Sequence, residues 1–203
     1  MGRVSDAKVR LMDAVLELLW TGSYGSTTID HICERAGVKK GSFYYFFSSK
    51  ADVAVAALEV SFAAHRVELD AMFSPSVPPL ERIRKYCEFG RAIQVEMQAK
   101  FGCVLGCPLF TLGAEVCTQE PAVGAKIAEI LEYKARYFET AIRDGHATGV
   151  FHAPDAAAKA RVVRAYVEGL LTQARIQNDL EILREMADGV FNMLGVKPET
   201  AAV

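Results

Sequence analysis

The chain has 203 residues, 51% of them hydrophobic, and a formal net charge of -2. That length can bury one sizeable core, or a small domain joined to a larger one, and the proportions favour the second. No stretch approaches the ~18 consecutive apolar residues of a membrane span, and Arg3, Asp6 and Lys8 stand where a secretory signal needs an apolar run. Five irregularly spaced cysteines do not make a disulfide framework and suit a reducing compartment, so a cytoplasmic protein is expected. The charge is uneven. Residues 1–52 carry seven Lys or Arg against six Asp or Glu, a balance of +1 that leaves -3 for the rest. A faintly basic head on an acidic body implies that attraction to any polyanion would be set by a few local contacts rather than by a broad field.

Leu11, Val15, Leu18 and Leu19 place an amphipathic helix ahead of a loop from Thr21 to Ser26. Thr27 with Asp30 three residues on reads as a capping box, so a second helix starts near Thr28. Ile29, Ile32, Cys33 and Ala36 give that helix one buried face, and Gly37 ends it by tolerating a left-handed backbone. A third helix follows Val38. Val38, Phe43 and Phe46 or Phe47 can face inward, which leaves Lys39, Lys40, Ser42, Tyr44 and Tyr45 outside. Two ammonium groups, a hydroxyl and two phenols suit a groove lined by phosphates and base edges. Gly41 lets the backbone approach a duplex closely, although glycine weakens a helix by roughly 1 kcal/mol against alanine. Two short helices around a glycine turn have helix-turn-helix geometry.

Residues 27–53 resemble the DNA-binding signature of the TetR (tetracycline-repressor) family of bacterial transcriptional regulators. The resemblance implies an all-α fold, with a helix-turn-helix domain over residues 1–50 and an effector-binding and dimerisation domain over 51–203. It also implies that Lys39, Lys40, Ser42 and Tyr45 reach the groove, and that Thr27, Thr28, Tyr44 and Lys50 touch the sugar-phosphate backbone. The chain departs from the family pattern at Phe46, where a phosphate-binding His or Tyr is common; packing is the expected role there.

Downstream the match is one of architecture. Ser48 or Ser49 can cap a long helix running to about Met72, with Val53, Ala57, Val60, Ala64 and Val67 on one face and Leu58, Phe62, His65 and Leu69 beside it. The prolines between Ser74 and Pro79 break it. A helix from Leu80 to Ala99 follows, with Ile83, Cys87, Gly90, Ile93 and Met97 at helical spacing. Gly102 to Pro108 reads as a bent connection, and Leu109 to Thr118 as a helix. Pro121 suits the first turn of the next helix, which reaches about Ala147. Two helices, 155–177 and 179–194, close the fold, and Lys197 to Val203 reads as a frayed tail.

By the resemblance, the last two helices dimerise through Val163, Tyr166, Val167, Leu170, Ala174, Leu183, Met186 and Val190, with Gly169 and Ala174 allowing close approach. Pattern alone also allows both stripes to cover the domain's own core. A homodimer would present two recognition helices about 34–36 Å apart, or a longer separation, on a palindromic operator. The resemblance further implies a cavity for a small, moderately hydrophobic effector, and Phe62, His65, Phe89, Ile93, Met97, Cys107, Phe110, Tyr133, Tyr137 and Phe138 are suitable lining. The long helix starting near Lys50 would couple pocket and head, so that ligand and operator oppose each other reciprocally.

Other readings are a thiol sensor, an enzyme, and a protein-interaction module that does not bind DNA. Cys107, at the mouth of a helix and with Cys103 nearby, could sense electrophiles or oxidants, although an inert buried thiol is the commoner outcome. An enzyme would need a nucleophile elbow, a phosphate loop, a metal-binding His pair or an acid/base pair of carboxylates, and none is legible. The four histidines, His31, His65, His146 and His152, are scattered, and His31 is expected to be exposed. No catalytic residue, cofactor or metal is expected; the partners are double-stranded DNA, a small molecule and a second copy of the chain.

Overall fold

The computed structural model describes residues 2–196, with side chains from residue 6. All regular structure among these residues is helical: α1 (Gly2–Thr21), α2 (Ile29–Ala36), α3 (Lys40–Phe46), α4 (Lys50–Met72), α5 (Pro79–Phe101), α6 (Pro108–Val116), α7 (Pro121–Ala147), α8 (Ala156–Gln177) and α9 (Met186–Leu194). A 3-10 turn, Glu181–Leu183, lies between the last two. The tail expected at Lys197 to Val203 lies outside the described residues.

The chain forms two compact units, one of Met1–His65 with Pro108–Ile130 and one of Arg66–Cys107 with Leu131–Val203. This division differs from a split at residue 50: the unit holding the short helices also takes the start of α4, all of α6 and the start of α7. Its core is Leu11, Val15 and Leu19 from α1, Ile32, Cys33 and Ala36 from α2, Phe43 and Phe47, Val53, Ala54, Ala57 and Leu58 from α4, and Leu112, Val116, Val123 and Ile127. Each fully buried Leu, Ile or Phe contributes roughly 1.5–3 kcal/mol. That holds in place helices too short to persist alone.

Helix α4 is capped by Ser49, whose hydroxyl oxygen accepts the Asp52 N–H at 3.1 Å, while the Asp52 carboxylate accepts the Ser48 N–H at 2.9 Å. Its expected stripe stops at Ala57. Val60 and Val67 are exposed, and Ala64 with them. The alanine-rich sequence is apolar on several faces, so spacing alone does not single out the buried one.

The second unit is built on an aromatic cluster, with Tyr86 edge-on to Phe138 at 4.8 Å and Phe73 within 5.4 Å of Phe138. The segment between α5 and α6 is buried at Val104 to Cys107 and satisfied by side chains. Gln94 accepts the Leu105 and Gly106 N–H groups at 3.1 and 2.8 Å and donates to the Gly106 carbonyl. Asn178 accepts the Val104 N–H, and Arg175 donates to the Leu105 carbonyl. Gly106 has φ 65, and a Cβ there would lie 3.0 Å from the Leu171 carbonyl oxygen, so glycine is required. Arg82 is buried and donates to the Val77 and Pro75 carbonyls and, at 2.6 Å, to Asp144.

The expected helix 179–194 is interrupted. Asn178 ends α8 in the left-handed region at φ 52, and the Asp179 carboxylate accepts the Glu181 N–H at 2.9 Å. That side chain offers the backbone an alternative to the helix, and α9 begins only at Met186. The expected dimer residues need a similar correction. Val163, Val167, Ala174, Leu183, Met186 and Val190 are covered by the second unit's own core, and only Tyr166 and Leu170 keep partial exposure. The open side of α8 carries Val162, Gly169 and Ile176, at seven-residue steps.

Candidate nucleic-acid interface

The expected Thr27–Asp30 capping box is replaced by one a residue later. Thr28 is the N-cap of α2: its hydroxyl oxygen accepts the His31 N–H at 3.1 Å, and its own N–H donates to His31 Nδ1 at 3.4 Å. An imidazole nitrogen does the work usually given to Glu or Gln. Thr27 is instead buried, its hydroxyl donating to the Ser23 carbonyl at 2.7 Å, because it closes the loop behind α1. Thr27, expected at the DNA backbone, is therefore turned away from solvent, whereas Thr28, expected there too, is exposed beside it.

Gly37 stops α2 at φ 63, with the Gly37 and Val38 N–H groups returning to Glu34 and Cys33 carbonyls. Arg10 of α1 donates to the Ala36 carbonyl at 3.0 Å, and Arg35 pairs with Glu17, so α2 is fastened to α1 at its C-terminal end. Phe43 is fully buried and Phe47 nearly so, which fixes the inner face of α3. Phe46 is half-buried and packs edge-on against Tyr45 at 4.9 Å.

Outward stand Lys39 and Lys40, both exposed, with Ser42 half-buried, Tyr44 at 55% exposure and Tyr45 at 74%. A Cβ on Gly41 would meet nothing within 4 Å, so internal packing does not demand glycine there. Lys40 is paired with Asp30 of α2 at 2.8 Å. Hydrogen bonding to that carboxylate and its charge raise the Lys40 pKa.

Lys50 faces the other way. Its ammonium donates to the Tyr24 and Thr27 carbonyls at 2.7 and 2.9 Å and lies 3.9 Å from the Tyr24 ring centre. The structure thus spends Lys50, expected at a phosphate, on holding the loop before α2. Glu115 of α6 completes the clasp by accepting the Tyr24 and Gly25 N–H groups at 2.8 and 2.7 Å. A contact across some 90 positions leaves no local signal, and sequence reasoning missed it.

The expected effector lining is divided. Phe62, His65 and Phe110 belong to the first unit, and Phe89, Ile93, Met97, Cys107, Tyr133, Tyr137 and Phe138 to the second. Within the second unit an open pocket of about 360 Å³ is lined by Asp70, Phe73, Ser74, Pro75, Tyr133, Arg136, Tyr137 and Thr140. It brings together only Tyr133 and Tyr137 of the expected residues, and the Tyr137 phenol is already donated to Asp70.

A second arrangement in this unit joins Tyr86 of α5, Lys134 of α7, Glu168 of α8 and Cys107, all buried. Burial holds the Glu168 carboxyl above its usual range, opposed by Lys134 and by a hydrogen bond with Cys107. Burial alone would lower the Lys134 pKa, but Tyr86, Cys107 and Glu168 around it raise it on balance. Glu168 Oε2 has no hydrogen-bond partner among the described residues. On the sequence, Lys134 and Glu168 read as ordinary solvated helix charges, which is why this cluster was missed.

Two short helices set around a left-handed glycine, with a polar aromatic face turned outward, define a helix-turn-helix DNA-binding protein. Residues 11–57 match the family profile described as bacterial regulatory proteins, tetR family, and residues 79–190 match the tetracyclin repressor-like C-terminal domain. The chain is 32% identical over 171 residues to the transcriptional regulator AcuR of Cereibacter sphaeroides, covering 82% of this chain and 75% of that protein. It is 27% identical to the HTH-type transcriptional repressor DhaR of a Mycobacterium species, covering 84% and 83% of the two chains. Its fold superposes on the regulatory protein TetR from Rhodobacter sphaeroides with a TM-score of 0.81 at 28% identity, covering 92% and 98%. The reduced form of Escherichia coli NemR shares the fold, with a TM-score of 0.81 at 22% identity and coverage of 95% and 99%. The chain belongs to the TetR family and is a DNA-binding transcriptional regulator. No helix among the described residues is long and apolar enough to cross a membrane.

Proposed function

We propose that the protein is a cytoplasmic, homodimeric repressor that covers a palindromic operator and is released from it by a small molecule bound in its larger domain. The observation that carries the reading is the outward face of α3, where Tyr44, Tyr45 and Lys39 are exposed beside a glycine that packing does not require. The open stripe of Val162, Gly169 and Ile176 on α8 supports dimerisation, because a bare glycine between two exposed apolar residues lets a symmetry-related helix come close. Of the two threonines expected at phosphates, exposed Thr28 keeps that role and buried Thr27 does not, and Lys39, Lys40, Ser42 and Tyr45 take the groove role. Lys40→Ala and Tyr45→Ala proteins are expected to retain their fold and to bind promoter DNA from beside the gene roughly 10–100-fold more weakly, since a good base contact is worth about 1–3 kcal/mol. Mobility-shift titration alongside circular dichroism checks this; wild-type affinity in both variants would remove α3 from the groove.

The cluster of Tyr86, Lys134 and Glu168 supports a ligand that combines an apolar body with a hydrogen-bond donor, because a buried acceptor without a partner costs about 1–3 kcal/mol. Small alcohols, phenols, amines and amides screened by thermal shift are expected to include a stabiliser of the wild-type protein whose effect is lost in Glu168→Gln. An equal shift in both proteins would place the effector elsewhere. Ligand and DNA then bind different populations, and the effector shifts the balance by no more than its differential affinity. Helices α4 and α7 continue without a break through the division between the two units, which supports them as the coupling path. The alternative thiol sensor rests on Cys107, which lies next to α6 and in the same cluster; its burial and its hydrogen bond with Glu168 favour the small-molecule reading.

A further inference from the structure

Asp30 is an acidic residue on the face that the proposed function turns toward a polyanion, and helix capping does not account for it, since Thr28 and His31 satisfy the start of α2 without it. Its carboxylate engages Lys40 with both oxygens, Oδ1 at 2.8 Å and Oδ2 at 3.1 Å. Both side chains remain well exposed, 70% for Asp30 and 52% for Lys40, so neither is driven into the pair by burial. A pair so wetted adds little stability. Its consequence is directional: a flexible ammonium on the first residue of α3 is held against the start of α2 instead of sweeping the nearest phosphate.

The geometry points to Asp30 as a specificity-determining residue that suppresses non-specific DNA binding and positions Lys40 for the operator. This rests on the DNA-binding reading above and deepens it. Two physical effects act together. Asp30 cancels one of the few local positive charges that could release counterions from any duplex, and it repels phosphates that approach in the wrong register. At a correct site Lys40 gives up or shares Asp30 for a base edge, and the loss of the pair is offset; at a random site it is not. Discrimination arises because a charge pair must be matched or broken, while the affinity for DNA in general stays low.

The test compares wild type with Asp30→Asn, which keeps the shape and removes the charge, on a duplex selected by this protein from a random-sequence library and on a scrambled duplex of equal length. Fluorescence anisotropy over a range of salt concentrations is expected to show the variant binding the scrambled duplex about tenfold more tightly, with a smaller gain on the selected one. The salt slope on the scrambled duplex should steepen by about one, the value for one further phosphate contact. The Asp30→Asn change made in a Lys40→Ala background is expected to leave that slope unmoved, and Asp30→Glu to restore wild-type preference. A purely structural Asp30, acting through the α2 dipole, would change melting temperature and leave slope and preference alone, which overturns the inference. Wild-type protein that selects no duplex at all overturns the DNA-binding reading itself, and the inference falls with it.

Discussion

Phe43→Ala protein is expected to lose about 3–5 kcal/mol of stability in the unit that holds the helix-turn-helix, the range for emptying a buried phenylalanine site. Phe43 has no solvent exposure, and its ring meets Tyr44 edge-on at 5.4 Å and Phe47 at 5.9 Å. Phe43 is the one buried residue of α3. It is seven residues long, its N-cap Lys39 makes no side-chain cap, and Gly41 sits inside it. Removing the ring leaves a cavity under α3, and the outer face made by Tyr44 and Tyr45 loses its fixed direction. Thermal melting should fall well below wild type, with promoter binding lost at temperatures where the helices of the second unit still give their circular dichroism signal. A variant that melts with the wild type would show that α3 is anchored elsewhere.

Arg82→Ala should be almost as costly in the other unit, about 3 kcal/mol, the lower end of the range for breaking a buried ion pair because Asp144 keeps 40% side-chain exposure. One guanidinium serves two carbonyls of the proline-rich turn and one carboxylate from α7, so its loss leaves acceptors from residues 75, 77 and 144 unanswered together. Lysine cannot replace it, because a point ammonium cannot reach three acceptors arranged around a planar fork. Urea unfolding of Arg82→Ala and Arg82→Lys is expected to give lowered midpoints in both, with the slope unchanged. A wild-type midpoint in Arg82→Lys would mean that the turn does not depend on the fork.

What could be read from the chain alone was chemistry that acts locally. Gly37 needs a left-handed backbone, Pro121 fits a first helical turn, and Ser48 or Ser49 can cap α4; each signal lies within a few residues of its effect. The start of α2 was displaced by one position because a capping rule framed for acids does not anticipate His31. The stripe on α4 was misplaced because alanine and valine occur on several of its faces, and the interior of α8 was taken for its dimer surface because both sides are apolar. Arg82, Glu115, Lys134 and Glu168 were illegible for a common reason. A charged residue on a helix reads as solvated unless its partner is known, and each of these finds its partner far away in the chain.

The grip of Glu115 on the Tyr24 and Gly25 amides bears on any chimera. A graft of only the first fifty-odd residues onto a foreign dimerising body would arrive without the carboxylate that answers those two donors. Its loop would have to find water or a new acceptor, and the portable operator-reading cassette of this protein is therefore discontinuous, an amino-terminal stretch together with the segment around residue 115.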